Sequence, residues 1–243
     1  MIKNCLIHQP IGLGDILFVQ GIIKHLIDDG WTVHYPVHPF YYDLVSSYIK
    51  LDGLLWYKEG EGNYPLLNHY GREQDHKTDT EWYLPLTWAD CYSRTKPMIS
   101  KYFYANVPVG DWRNGLNIER NLERESYLID KYKLDKDFII VNKYYNMPEL
   151  NKQRDISISS SFKIHEMSYA QDKSNGFTLF DWIGALEKAK EVHTVGTSVS
   201  YLVDKYCINN NIYCYERRLP GQDRTYHEEI HLVHRNPNWV YRD

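Results

Sequence analysis

Asp15 stands in the run IGLGDILF, from Ile11 to Phe18, where a short apolar stretch gives way to a helical pattern. The turn glycines Gly12 and Gly14 let a backbone pass close to a ligand, and the amides that open a helix offer a positive field to an anion. An acid at that place falls at the carboxyl end of the first strand, in the crevice where open α/β sheets take their ligands. Its structural alternative is to cap the helix. Leu17 occupies the third glycine position of the dinucleotide fingerprint GxGxxG, and no ribose-binding acid ends the second strand, which argues against a nicotinamide or flavin enzyme.

A second group lies in HTVGTSVSYL, His193 to Leu202. An apolar strand there runs straight into Gly196, Thr197, Ser198 and Ser200, whose hydroxyls and free helix-end amides can hold a diphosphate without a metal, or simply cap the helix. In FKIHEMSY, Phe162 to Tyr169, His165 and Glu166 sit at a strand end of the same half. They suit the ribose or base of a nucleotide; the alternative for the histidine is a satisfied, half-buried polar group. Near the C-terminus HEEIH, His227 to His231, matches the zinc-hydrolase pattern HExxH, and His234 offers a third nitrogen. That motif needs a supported helix, whereas Pro220-Gly221 precedes it, Pro237 follows it and HLVH alternates like a strand. No metal or other cofactor is expected.

The elements that must position these residues follow from periodicity. Cys5 to His8 reads as a strand, and the apolar positions from Ile16 to Ile27 recur at helical spacing until Gly30. Trp31 to Val37 is a second strand, Phe40 to Ile49 a second helix and Leu54 to Tyr57 a third strand, so the order β-α-β-α-β predicts a parallel sheet. A polar, glycine-rich stretch from Glu59 to Asp79 follows, with Asn68, His69, Tyr70 and Arg72 available to a polar substrate. Glu81 to Trp88 alternates like a strand, a helix begins at Pro97, and Ile118 to Lys133 is a charged helix. A second series opens with FIIVN after Asp137: strands at Phe162 to Tyr169, Val192 to Gly196 and Asn211 to Tyr215, a helix behind the capping pattern of Thr178 and Asp181, and another from Thr197 to Cys207. The expected fold class is therefore α/β, with two Rossmann-like lobes and a cleft between them. The lobes divide as 1–110 and 137–243, joined by a connecting helix within 111–136.

Composition narrows the function classes. With 43% hydrophobic and 25% charged residues the chain can bury a core, so disorder is excluded as its main state. Lys and Arg number 28 against 32 Asp and Glu, a net charge of −4 that gives no general pull toward nucleic acid or anionic lipid. Any phosphate must be met by a local site. The cysteines Cys5, Cys91, Cys207 and Cys214 are scattered and read as reduced thiols of a cytoplasmic protein, and neither a signal peptide nor a membrane span is expected.

The early run GLGDILFVQGIIKHL and the late run TLFDWIGALEKAKEVHTVGTSVSYLVDKY together resemble the two-lobed GT-B glycosyltransferases, particularly the bacterial heptosyltransferase type. The resemblance implies transfer of a sugar from a nucleoside-diphosphate donor to a hydroxyl acceptor, with the acceptor in the first lobe and the nucleotide sugar in the second. It implies an inverting reaction without metal, Asp15 as the base, and Thr197, Ser198 and Ser200 on the phosphate-binding turn. Lys143 then falls near the basic residue that neutralises the leaving phosphates. Where that family carries Asp-Thr-Gly and a His in the second turn, this chain has Thr-Ser-Val and Tyr201. Arg217 and its neighbour Arg218, after the last predicted strand, add candidate bidentate phosphate contacts. Three alternatives remain: pyruvyl transfer of the polysaccharide pyruvyltransferase type on the same fold, zinc hydrolysis at HEEIH, and a sugar- or nucleotide-binding module without chemistry.

Overall fold

A computed structural model describes residues 3–9, 11–61, 82–87, 97–108, 112–134, 136–145, 152–167, 169–208, 210–215, 233–234 and 236–242. The chain divides into two compact units, Met1–Glu119 and Arg120–Asp243, each built on its own parallel sheet.

In the first unit β1 (Lys3–His8), β2 (Trp31–Val37), β3 (Leu54–Lys58) and β4 (Trp82–Pro85) lie in the order β3-β2-β1-β4, all parallel. Their apolar runs bury Cys5, Ile7, Val33, Tyr35 and Val37 completely, each large aliphatic side chain contributing about 1.5 to 3 kcal/mol. Helices α1 (Leu13–Phe18) and α2 (Gln20–Asp28), joined at Val19, send Ile16, Leu17, Ile22 and Ile23 into the same core at helical spacing. Helix α3 (Pro39–Tyr48) starts with proline at its first position and the His38 side chain accepting from the Phe40 amide at 3.2 Å. Helix α4 (Pro97–Tyr104) is tied in by Tyr102, whose hydroxyl donates to the Phe18 carbonyl at 2.8 Å. Behind it, a side chain at Gly115 would put a Cβ 2.3 Å from the Gln20 carbonyl oxygen, so only glycine lets this segment lie on α2. Ile118 bridges to Ile49, and the Glu119 amide donates to the Tyr48 carbonyl at 2.7 Å, which keeps the chain on the first unit as far as Glu119.

The second unit carries β5 (Phe138–Asn142), a short antiparallel pair β6 (Tyr144–Tyr145) and β7 (Lys152–Gln153), then β8 (Lys163–Glu166), β9 (Glu191–Val195), β10 (Asn211–Tyr215) and β11 (Trp239–Arg242). Its sheet runs β11-β10-β9-β5-β8, all parallel. Helix α5 (Leu122–Tyr132), in the stretch read as a connector, packs on α7 (Ile183–Lys188) and the 3-10 turn Leu179–Trp182. Two arginines fix it there. Arg120 Nε reaches Glu125 at 2.8 Å while its Nη1 reaches Glu187 at 2.9 Å, and Arg124 grips Asp181 through two bonds of 3.0 and 2.8 Å. Asp181 also accepts from the Thr178 amide at 2.7 Å, so the capping role expected of this pair is present. Its carboxylate is fully buried, so without the arginine a buried charge would be left on the Thr178 hydrogen bonds alone.

Helices α6 (Tyr169–Ser174) and α8 (Ser198–Tyr206) complete the unit. The structure adds to the periodicity or departs from it: FKIHEMSY stays extended only to Glu166 before α6 begins, Tyr144–Tyr145 pairs with Lys152–Gln153 as β6 and β7, and WVYR adds β11 beside β10. Cys5 is buried in the first unit, Cys207 and Cys214 in the second, and burial pushes the Cys5 and Cys214 thiols up to about 12. Among the described residues no helix is long and apolar enough to cross a membrane.

Candidate functional site

Each sheet reverses its strand order beside its first strand, between β1 and β4 in the first unit and between β5 and β9 in the second. At such a switch point neighbouring connections leave in opposite directions, opening a crevice at the carboxyl ends of the strands. Both switch points are lined with polar side chains.

In the first unit Gly12, with φ at 92°, turns the chain from β1 into α1 and serves as the helix N-cap, while Gly14 lies inside the helix. Asp15 makes no capping hydrogen bond, so the capping alternative does not describe it. Its Oδ1 sits 3.1 Å from the Lys101 ammonium and is shut off from solvent. A Cβ on Gly12 would fall 2.6 Å from Oδ2, so the glycine leaves the room that this oxygen occupies. About 20% of the side chain stays exposed, all of it outside Oδ1. Lys101, from α4, has no exposed surface and also donates to Gln9 Oε1 and to the Leu86 carbonyl at the ends of β1 and β4. Gln9 in turn donates to the Ile11 carbonyl at 2.7 Å, and its own carbonyl accepts the Tyr35 hydroxyl at 3.0 Å. Burial, helped by the negative charge of Asp15, pushes the Tyr35 phenol far above its ordinary value, so it stays a neutral donor.

In the second unit Asn142, the last residue of β5, donates from one amide nitrogen to the hydroxyls of Thr194 at 3.0 Å and Thr197 at 3.1 Å. It thereby ties the two central strands to the start of α8. Thr197 caps α8, accepting from the Val199 amide at 3.3 Å. Ser200 is buried and donates to the Thr197 carbonyl at 2.6 Å, whereas Ser198, the first helical residue, is half-buried. The hydroxyls at Thr197 and Ser200 thus build the turn that opens α8.

Lys143 follows Asn142 and pairs with Glu166 at 2.6 Å; Tyr144 donates to the same carboxylate at 2.5 Å. Partial burial raises the Glu166 carboxyl, but the hydrogen bonds and charge of Lys143, with the Tyr144 hydrogen bond, outweigh it and hold the group below its ordinary value. The same bond to Glu166 pushes the Lys143 ammonium up. Strand alternation separates Glu166 from its neighbour: the His165 ring lies 4.7 Å from Tyr132 and 5.3 Å from Trp182, and burial lowers its affinity for a proton. Of the residues singled out in the sequence, the structure therefore groups Gly12 with Asp15, Lys143 with Glu166, and Thr197 with Ser198 and Ser200, while His165 joins an aromatic stack.

His234 is buried, stacked 4.5 Å from Trp239 with its Nδ1 4.0 Å from the Asp204 carboxylate. Arg217, Arg218, His227 to His231, Asn68, His69, Tyr70 and Arg72 lie outside the described residues. Among the described residues no three His, Cys, Asp or Glu side chains gather to hold a metal. Sequence reading missed Lys101, Gln9 and Asn142. Lys101 looks like any lysine of an amphipathic helix, and it stands 86 positions after Asp15. Asn142 carried one available signal, a polar residue closing the apolar strand FIIVN.

No family model matches the chain, and no curated protein sequence matches it. Among solved structures it is similar to a glycosyl transferase of family 9 from Veillonella parvula DSM 2008, at 10% identity and a TM-score of 0.58, over 98% of this chain and 85% of that one. The iron-containing dodecameric glycosyltransferase TibC of enterotoxigenic E. coli H10407 gives 8% identity and a TM-score of 0.51, over 99% of this chain and 62% of that one. For the E. coli heptosyltransferase WaaC with ADP the figures are 9% identity and a TM-score of 0.49, over 95% and 96%. At these identities the likeness is one of fold. The two parallel-sheet units of this chain have the GT-B-like fold of the family 9 glycosyltransferase.

Proposed function

We propose that this chain is a glycosyltransferase that moves a sugar from a nucleoside-diphosphate donor to a hydroxyl acceptor, with inversion and without a metal. One observation carries the reading: on a glycosyltransferase-like fold, Asp15 at the first switch point is not the helix N-cap but a partly exposed side chain with one carboxylate oxygen enclosed 3.1 Å from a buried lysine ammonium. A carboxylate so held is suited to general-base work, which contributes about 10² to 10⁴ in rate.

In this reading Asp15 takes the proton of the acceptor hydroxyl as that oxygen attacks the anomeric carbon. The bond from the anomeric carbon to the diphosphate oxygen breaks, and the departing nucleoside diphosphate carries the electron pair. Its growing charge is met by the amides that open α8, by Ser198 and by Lys143. Glu166, beside Lys143, is suited to accept hydrogen bonds from ribose hydroxyls. Nucleotide sugar and hydroxyl acceptor are thus the expected substrates, and no separate cofactor is required. Asp15→Asn tests this. Transfer should fall by about 10² to 10⁴ while the donor nucleotide, titrated calorimetrically, binds as before. Full retention of transfer by the variant sinks the base assignment.

A further inference from the structure

Lys101 is the most deeply buried cation described in the first unit, and the base assignment alone does not explain it. Its ammonium has no exposed surface. Two of its three N–H bonds serve Gln9 Oε1 and the Leu86 carbonyl, and its remaining side faces Asp15 Oδ1 at 3.1 Å. Those two neutral acceptors anchor the ammonium to the ends of both strands that flank the switch point. They do not balance its charge, and a buried ammonium without a counter-charge opposes folding. Asp15 supplies that charge. Conversely, Asp15 Oδ1 is enclosed and has no hydrogen-bond partner among the described residues, so the charge it faces is the Lys101 ammonium at 3.1 Å.

We propose that Lys101 is the positioning residue of the site: it pins Oδ1 of Asp15 between the ends of β1 and β4, so that Oδ2, over Gly12, is the oxygen that receives the acceptor's proton. This rests on the reading of Asp15 as the base. The division of labour follows from the geometry, because one oxygen is enclosed on a cation and the exposed part of the carboxylate lies outside it. A rigid base matters since a displacement on the order of 1 Å at the reacting atoms costs on the order of 10² in rate.

Two double-mutant cycles on Lys101→Met and Asp15→Asn in the full chain test the idea. In kinetics, Lys101→Met should lower kcat on the order of 10²-fold with the KM of donor and acceptor unchanged, and adding Asp15→Asn should bring little further loss, because residues acting as a unit are not additive. A lysine that only braced the strands would give losses that multiply, and that result overturns the proposal. In chemical unfolding, the folding equilibrium constant should show a coupling of roughly tenfold between the two substitutions; strict additivity overturns the pairing. Should Lys101→Met fold poorly by itself, the double variant must be the more stable, since it removes both charges together, and a double variant no better than the single refutes the pairing. The unfolding cycle needs no turnover. If wild-type protein or Asp15→Asn contradicts glycosyl transfer while the unfolding coupling is present, the base assignment fails and the Lys101 pairing stands.

Discussion

Gly12 is where conformation and chemistry meet on one residue. Its φ of 92° lies in the region that side chains avoid, and the space a Cβ would fill is held by Asp15 Oδ2 at 2.6 Å. Gly12→Ala therefore has two costs, a backbone strain of about 1 to 2 kcal/mol and a displaced carboxylate. The expected result is a modest fall in unfolding free energy with a much larger fall in transfer rate. A variant that loses stability but keeps its rate would show that Oδ2 has room to move. Asp15 and Gly12 were both legible in the sequence because they share one turn. Lys101 was not, since a helical lysine becomes a buried counter-ion only once α4 is laid beside the ends of β1 and β4. Ser200 was legible as a hydroxyl near a helix start, but its direction is set by the helix, which turns it inward to the Thr197 carbonyl.

At the level of elements, the second sheet places two histidines where protonation opposes folding. Burial lowers the proton affinity of His165, between Tyr132 and Trp182, and of His193, between the Tyr215 hydroxyl at 2.8 Å and Glu191 at 3.0 Å. A histidine whose folded value lies below the ordinary 6.5 binds fewer protons folded than unfolded, so its stabilising share is complete above that value and shrinks as the pH falls through it. Unfolding free energy should thus decline from pH 7.5 to pH 5, and His165→Phe should flatten the slope. An unchanged slope would remove His165 from the account. The Lys143–Glu166 pair titrates lower, its share being lost only below the ordinary carboxyl value of 4.5, so the two windows separate. Most of these strands and helices were readable from period and caps; β2 and β10 run over the residues their β-branched and aromatic runs predicted. The short pair β6 and β7 and the edge strand β11 were not, because two-residue pairing and edge position depend on a neighbour rather than on local pattern.

As a whole molecule, the chain is two compact units, each on its own parallel sheet, dividing between Glu119 and Arg120. Asn142 and the start of α8 belong to the second unit, Asp15 and Lys101 to the first. Nucleoside diphosphate at 100 times its dissociation constant should stabilise what it binds by about 2.7 kcal/mol. Slowed amide hydrogen exchange is expected at the end of β5 and the first turn of α8, with residues 13–18 left unchanged. Protection confined to α1 instead would reverse the assignment of donor and acceptor.

The buried thiols add a means of following each unit by itself. Cys5 lies at the centre of the first sheet, and Cys207 and Cys214 lie in the second unit, all enclosed and, by burial, reluctant to form the thiolate that alkylating reagents attack. Modification at these three positions must wait for the surrounding structure to open. Mass-resolved alkylation rates then become local opening rates, with Cys5 timing one sheet and the other two timing its neighbour.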